Sequence, residues 1–455
     1  MGEAHHDTPP AGPSPIGVAD GGPGFHRALG TFDAAMVVIG GIIGAGIFIN
    51  PYIVAQRLDS GAWVIAAWIA GGLIALAGAF AFAELGSLIP RAGGPYVYLT
   101  RAYHPMAGFL YGWALLFMVQ GGAVAAIAIT FAEYTFRFLG STASSTPLAI
   151  AAIIVVSAIN ALGVRPGSNT LNVFVTLKVL AIVALIVFGA FLSEPASQPA
   201  FTPSGTTLPL LAFGAALVPI MFSYGGWQSA NWVAEEISEP ERRLPRAIIA
   251  GTLVVILVYV AVNIVYLRAL GHAGLAATTT PAADAAGRIA GANGVRMISL
   301  AIAVSTFGFL HLTVLAPTRV YWAMGADGVF FRALGRLHPR YRTPVLAISA
   351  QSGWAILLTM TGTYAQLIDY VVFADWVFFG LSAAALFALR RRIPLSDRPA
   401  HLFRTPGYPW VPALFIGAAV LVFVSVIASS PERSVVGALL LASGVPVFLW
   451  WNRRR

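Results

Sequence analysis

Long apolar runs alternate with short polar segments along the chain from about residue 32 to its end. An α-helix needs roughly 20 mostly apolar residues to cross a bilayer, and most of the runs approach that length. The pattern predicts about twelve membrane-spanning helices, at residues 32–56, 62–88, 106–138, 147–163, 170–192, 209–236, 246–270, 296–323, 344–363, 366–389, 410–429 and 435–451. We therefore expect an all-α membrane protein with one transmembrane domain, residues 31–455, after a disordered cytoplasmic tail, residues 1–30.

Two of these spans carry glycines in the middle of an otherwise apolar helix. The first span has the sequence GGIIGAGIF at residues 40–48, and the sixth has FSYGGW at residues 222–227. The two clusters are five spans apart, and because five is odd, the halves of the chain would cross the membrane in opposite orientations. Interrupted helices at matching positions are typical of the inverted repeats of secondary transporters. We expect residues 31–192 to form the first repeat, residues 209–390 the second, and residues 410–451 two additional helices.

An interrupted helix in a membrane exposes main-chain groups that can bind a ligand. The N-terminus of the half-helix that begins near Gly44 and Gly46 presents free N–H groups and a partial positive charge, which suit a carboxylate. The carbonyls of Ile42, Ile43 and Phe222 would accept hydrogen bonds from an ammonium. A zwitterionic amino acid presents both groups close together. The alternative is that the glycines only allow close helix packing, an explanation that is weaker for two clusters at matching positions.

The predicted substrate-binding residues are therefore those of the two glycine-rich segments. Within the second segment, three aromatic side chains are candidates for a gate over the substrate, with ordinary core packing as the alternative. The full set is Ile42, Ile43, Gly44, Ala45, Gly46, Ile47, Phe222, Ser223, Tyr224, Gly225, Gly226 and Trp227.

Two ionisable residues fall inside predicted spans, where they indicate function because burial of a charge in a membrane is costly. Lys178, the single lysine of the chain, lies near the middle of the fifth span. It is expected to tie helices together as a fixed cation or to exchange a proton. Asp375 in the tenth span is a possible proton site or a partner for a hydroxyl or backbone group. By contrast, Glu84 and Glu236 fall at helix ends and are expected on a solvated surface.

Composition excludes several classes of function. The 455 residues are 58% hydrophobic and 10% charged, against about 25% charged residues in soluble proteins. The net charge of +9 comes from arginines scattered through short loops, which argues against nucleic acid binding. Their distribution instead predicts a cytoplasmic location for both termini. The chain has no cysteine, and no metal-binding or phosphate-binding motif is present, so we expect no metal, no cofactor and no enzymatic activity.

The combined motifs resemble those of the amino acid–polyamine–organocation (APC) superfamily. The similarity covers about residues 30–450, and it is strongest to the L-type amino acid transporters and their bacterial relatives. The motifs that carry it are GAGIF at residues 44–48, YGGW at 224–227, the pair Glu235 and Glu236, AELG at 83–86 and GGPY at 93–96.

The resemblance implies a LeuT-type fold of five plus five helices with two more, and a substrate site between spans one and six. It also implies that Lys178 occupies the place where sodium-coupled members bind sodium and that it bridges span one to Ser305 of span eight. Transport would then be independent of sodium. Ala45 stands where the family usually has serine, so one hydroxyl near the carboxylate is missing. Animal L-type members join a heavy-chain glycoprotein through a cysteine, a linkage that this chain cannot form.

The function expected from the sequence is alternating-access exchange of neutral L-amino acids across a bacterial-type inner cell membrane. A proton-coupled symporter in which Lys178 or Asp375 titrates is the alternative. Cationic amino acids or polyamines are disfavoured because neither glycine-rich segment contains an acidic residue. The expected partners are the amino acid and the lipid bilayer, and the sequence leaves the oligomeric state open.

Overall fold

The computed structural model describes residues 25–192, 210–361, 364–393, 398–429 and 431–453. In these ranges the chain is helical, and its extended pairing is limited to one isolated parallel bridge between Leu29 and Ile237. The helices are α1 Thr31–Ile42, α2 Gly46–Arg57, α3 Gly61–Leu88, α4 Pro95–Ala102, α5 Pro105–Ala114, α6 Gly121–Leu139, α7 Ser145–Ala161, α8 Val164–Leu192, α9 Leu210–Tyr224, α10 Ser229–Trp232, α11 Pro240–Ala277, α12 Pro281–Leu315, α13 Thr318–Ala326, α14 Val345–Thr361, α15 Tyr364–Arg392, α16 Trp410–Ser429, α17 Pro431–Ala442 and α18 Gly444–Asn452.

Local sequence explains many of these boundaries. Proline lacks an N–H and has a fixed φ, so it fits the first turn of a helix, where the N–H would be unpaired anyway. It is the first residue of α4, α5, α11, α12 and α17. Within long helices the direction changes at Gly271 of α11 and at Ala290 and Gly291 of α12, where the backbone leaves the helical region. A π-helical turn, Leu115–Gln120, joins α5 to α6.

The membrane character of the fold agrees with the apolar pattern. Seven helical stretches among the described residues are long and apolar enough to cross a bilayer. The bent pair α1 and α2 adds an eighth when it is counted as one span. Two shorter apolar helices, α7 and α14, accompany them. The prediction of an all-helical, multi-pass membrane protein is confirmed at this level.

An acidic side chain at the end of α3 is buried, which corrects the expectation of a solvated surface. Glu84 is 1% exposed and lies 2.6 Å from Arg390 of α15 and 2.9 Å from Arg398. The backbone N–H of Thr405 is a third partner and donates a hydrogen bond to its carboxylate at 2.7 Å. Because a buried carboxylate needs such partners, this cluster fastens the segment after α15 to the end of α3.

A second buried ion pair lies beside the short helix α10, and it too corrects the prediction of a solvated acid. Glu236 and Arg319 of α13 are almost fully buried and 2.6 Å apart. The residues before α1 cover this pair: Phe25 lies with its ring 5.5 Å from the Arg319 guanidinium. The N–H groups of Ala28 and Leu29 donate to the Glu236 carbonyl at 3.0 and 2.9 Å.

These contacts correct the boundary of the predicted disordered tail. Residues 1–24 lie outside the described part of the chain. Residues 25–30, however, form a strap: Phe25 and Leu29 are buried, and the Ser238 N–H donates to the Leu29 carbonyl at 2.9 Å. The sequence before residue 25 is rich in proline and glycine, and it gave no indication that residues 25–30 pack against the rest of the protein.

The buried pair should contribute more to stability than an exposed pair of the same residue types. Glu236→Ala leaves the Arg319 cation buried without its partner, which typically costs about 3–5 kcal/mol. Glu239 pairs with Arg243 on the surface at 2.7 Å, and such pairs are worth only about 0.3–0.5 kcal/mol. Thermal unfolding in detergent should show a fall of several degrees for Glu236→Ala and little change for Glu239→Ala. Equal melting temperatures for the two variants would contradict this assignment.

Candidate functional site

The first glycine-rich segment interrupts the helix as predicted. Helix α1 ends at Ile42, α2 begins at Gly46, and their axes differ by 43°. The break is tight because another backbone lies against it: a Cβ on Gly46 would be 3.1 Å from the Cα of Ser223 and 2.7 Å from its hydroxyl. Gly44 similarly lies against the ring of Phe309.

The break leaves three consecutive amide groups unpaired. The N–H groups of Ala45, Gly46 and Ile47 have no acceptor among the described residues. They stand at the N-terminus of the twelve-residue helix α2, where the helix dipole adds a partial positive charge. The arrangement is therefore suited to an anionic group such as a carboxylate.

The second glycine-rich segment is also interrupted. Helix α9 ends at Tyr224 and α10 begins at Ser229. Gly226 between them has φ +128°, a conformation that side chains disfavour. A Cβ there would lie 2.1 Å from the carbonyl oxygen of Gly41. The two breaks thus meet backbone to backbone, which only glycine permits.

Side chains from neighbouring helices bind the freed carbonyls. The Tyr259 hydroxyl of α11 lies 2.9 Å from the Ile42 carbonyl and 3.2 Å from the Ser223 carbonyl, so it can donate to either break. The Asn50 amide of α2 donates to the Ser223 hydroxyl at 2.7 Å. Sequence analysis missed Tyr259 and Asn50, because neither differs in type or spacing from other residues of an apolar span.

Lys178 of α8 binds main-chain carbonyls at the first break. Its side chain is 1% exposed, and its ammonium donates to the carbonyls of Ile43 at 2.6 Å and Gly40 at 3.3 Å. It also lies 5.7 Å from the centre of the Phe309 ring. The predicted hydrogen bond to Ser305 is not formed: that hydroxyl is buried and has no partner among the described residues.

Two carbonyls that were predicted to accept from an ammonium already have donors. The Ile43 carbonyl accepts from Lys178, and the Ile42 carbonyl accepts from Tyr259 and from the Gly44 N–H. Buried polar groups away from water take whatever partners are within reach, which explains the correction. From the described residues the Phe222 carbonyl accepts a single long bond, 3.3 Å, donated by the Gly225 N–H, which is shared with the Met221 carbonyl.

Both breaks open into one cavity of about 380 Å³, a size within the usual range for small-molecule sites. Eight of the twelve predicted substrate-binding residues line it: Ile42, Gly44, Ala45, Gly46, Phe222, Ser223, Gly225 and Gly226. The remainder of the wall comes from further residues of α1, α2 and α9, from α10 and the residue before it, and from α6, α12, α15 and the π-helical turn. Its polar residues are Gln120, Thr130, Gln228, Ser229, Thr313 and Asp375.

The side chains of the other four predicted residues do not line this cavity. Ile43 and Ile47 are fully buried in the core. Tyr224 packs on Trp68 and Tyr259 and donates to the Trp68 carbonyl at 3.1 Å.

Trp227 likewise packs among the rings of Phe82, Phe379 and Phe415. In this conformation Tyr224 and Trp227 follow the alternative of core packing, because their rings lie in aromatic clusters and neither residue lines the cavity. Phe222, which is 45% exposed, is the aromatic residue of this segment that faces the cavity.

Comparisons with known proteins agree over nearly the whole chain. The family model described as amino acid permease matches residues 29–450. The serine/threonine exchanger SteT of Bacillus subtilis (strain 168) is 30% identical over 440 residues, which cover 95% of this chain and 98% of that protein. The b(0,+)-type amino acid transporter 1 of Homo sapiens is 30% identical over 82% of this chain and 78% of its own length. The large neutral amino acids transporter small subunit 2 of Homo sapiens is 29% identical over 96% and 83%.

The contact between the breaks makes a specific prediction about stability. Gly226→Ala forces an unfavourable φ, which alone costs about 1–3 kcal/mol, and drives a methyl group into the Gly41 carbonyl. We expect a marked fall in melting temperature or loss of folded protein after purification. Gly417→Ala in α16 is the matched control, since its Cβ would meet no atom within 4 Å. A Gly226→Ala protein as stable as Gly417→Ala would show that the breaks do not touch.

Proposed function

The chain belongs to the amino acid permease family, and on that premise we propose that it exchanges neutral L-amino acids across the cell membrane without sodium. Membership of this APC family makes it an amino acid transporter rather than an enzyme. The preference for neutral substrates, the exchange mode and the independence from sodium are the parts that we propose. Alternating access to the cavity between the two breaks would carry the substrate.

The observation that carries the proposal is the row of unpaired N–H groups at Ala45, Gly46 and Ile47. A carboxylate bound there receives hydrogen bonds from preorganised donors at a helix N-terminus. The neighbouring Ala45 provides no hydroxyl, so the main chain is the source of the donors at this end. Every α-amino acid carries such a carboxylate, which makes this contact independent of the side chain.

The α-ammonium needs acceptors close to the carboxylate contact. The Phe222 carbonyl retains capacity, since a carbonyl oxygen has two lone pairs and this one accepts a single long bond. It belongs to α9, whose Ser223 lies against Gly46. We propose that the ammonium binds on this side of the cavity.

Independence from sodium is supported by the position of Lys178. Its ammonium already supplies a positive charge to the Ile43 and Gly40 carbonyls at the first break. Because this cation is a permanent part of the chain, a dissociable cation such as sodium is not needed at the same place. Ser305, which the family resemblance couples to this position, is buried in α12 without a hydrogen-bond partner among the described residues.

The cavity wall carries few charges with which a charged substrate side chain could pair, which supports a neutral substrate. Among the described lining residues Asp375 is the single ionisable side chain. A proton-coupled symporter, with Asp375 or Lys178 as the titrating group, is the second candidate, and Asp375 in the cavity is the observation that supports it. Transport of cationic amino acids or polyamines is a third and weaker candidate.

The same premise leads us to propose the finer architecture. Each of the twelve predicted spans overlaps a helix or a helical pair of the described chain. We propose a LeuT-type fold in which residues 31–192 and 209–390 are inverted repeats and residues 410–451 add two helices. Both termini would then be cytoplasmic, and the strap at residues 25–30 would close the cytoplasmic side.

Proteoliposome flux tests the mode of transport. Vesicles loaded with unlabelled L-serine should take up labelled L-serine much faster than empty vesicles, and replacing sodium with potassium outside should leave the rate unchanged. Protein-free vesicles are the control. Uptake into empty vesicles that follows an imposed pH gradient would favour the proton-coupled alternative, and dependence on sodium would overturn the proposed role of Lys178.

Lys178→Ala should abolish exchange while leaving insertion into the membrane intact, because the Ile43 carbonyl loses its donor and the first break loses its fixed cation. Flux and the amount of protein in the membrane are both measured. Leu177→Ala is the matched control, since Leu177 is 45% exposed on the outer face of the same helix. Flux at the normal rate in Lys178→Ala would show that the lysine has no part in transport.

A further inference from the structure

Asp375 of α15 is a carboxylate on the cavity wall without a hydrogen-bond or ion-pair partner among the described residues. The Tyr111 hydroxyl interacts with it electrostatically, and the oxygen of that hydroxyl accepts from the Trp232 indole at 2.7 Å. Lys178 does not neutralise it, since that ammonium is bound to the first break and lies against Phe309. The carboxylate therefore faces the cavity with its acceptor capacity unused.

A second unpaired acceptor belongs to the same cavity. The side chain of Gln120 is 7% exposed, and its amide oxygen has no partner among the described residues. Gln120 ends the π-helical turn between α5 and α6, a turn that packs against α15. Irregular helical turns of this kind are frequent at functional sites. Two acceptors without donors in one cavity indicate that the bound molecule supplies the donors.

The donors and acceptors of the cavity lie on different elements. The unpaired N–H groups belong to the start of α2, whereas Asp375 and Gln120 belong to α15 and the π-helical turn. If the N–H groups bind the α-carboxylate, the acceptors remain for another part of the substrate. An alkyl side chain placed against these acceptors would displace the water that hydrates them and would offer no hydrogen bonds in return. Such a loss is costly for a carboxylate.

We propose that Asp375 determines specificity and that the cavity selects L-amino acids whose side chain carries an O–H or N–H donor. The inference rests on the proposed transport of amino acids. A hydroxyl-bearing side chain would keep the proposed preference for neutral substrates, whereas an amine-bearing side chain would replace it with a preference for cationic ones. A site built around a hydrogen bond to the substrate discriminates strongly against an isostere that lacks the donor. One hydrogen bond to a charged group corresponds to roughly 10- to 100-fold in affinity.

The test compares substrates of matched shape on purified full-length protein in proteoliposomes. L-threonine and L-valine differ by a hydroxyl in place of a methyl group, and L-lysine and L-norleucine differ by a terminal amine. Inhibition of labelled L-threonine or L-serine uptake gives an apparent affinity for each. In at least one pair we expect the donor-bearing amino acid to bind more tightly, by about 10-fold or more. A difference within the threonine and valine pair indicates recognition of a hydroxyl, and a difference within the lysine and norleucine pair indicates recognition of an amine.

Two variants connect that preference to Asp375. Asp375→Leu removes both acceptors at similar volume, so the preference should disappear and the alkyl amino acid should bind as well as its partner. Asp375→Asn keeps one acceptor oxygen but no charge, so a preference for threonine should survive and a preference for lysine should be lost. Asp284→Leu changes an exposed aspartate outside the cavity and should leave every ratio unchanged.

The outcomes separate this inference from the proposed function. If the protein binds no amino acid, the proposed function fails. If the wild-type protein binds valine as tightly as threonine and norleucine as tightly as lysine, the selectivity inference alone is overturned, even when Asp375→Leu does not fold. The selectivity inference is also overturned if Asp375→Leu weakens the binding of both members of a pair equally. That result would mean that Asp375 contacts the α-ammonium, which all amino acids share.

Discussion

The polar main chain of an interrupted helix must find partners wherever lipid excludes water, and this constraint organises the whole molecule. The two breaks satisfy much of it by lying against each other, so that Gly41 and Gly226 are in backbone contact. Tyr259 and Lys178 reach in from α11 and α8 to bind the carbonyls that remain. The amides at the start of α2 are left over from the first break, and they are available to a ligand because no group of the described residues accepts from them.

The helical, multi-pass character of the chain and the location of both breaks could be predicted from the sequence because their causes are local. Apolar length defines a span, and glycine weakens a helix at the residue where it stands. The distribution of the carbonyls could not be predicted in the same way. Whether Ile43 binds a ligand or Lys178 depends on how far a side chain reaches across a helix interface, and hydropathy contains no information on that distance.

Rotation of a helix about its axis is a second property that the sequence did not reveal. In a span that is apolar on all sides, Phe222 and Tyr224 are equally plausible as residues that face the cavity. In the structure Phe222 faces the cavity, whereas Tyr224 is buried against Trp68. The burial of Glu84 and Glu236 escaped sequence analysis for a related reason: an acid near a helix end is normally solvated, and only the tertiary fold brings Arg390 and Arg319 to meet it.

The close approach of Gly41 to Gly226 has a consequence for redesign of this molecule. Neither residue tolerates an added atom unless a half-helix shifts, so the wall of the cavity formed by the breaks is fixed by its own geometry. The part of the wall built from α6, α12 and α15 presents ordinary side chains such as Thr130, Thr313 and Asp375. Engineering of new selectivity therefore has one permissive surface and one forbidden one, and libraries of variants are best confined to the former.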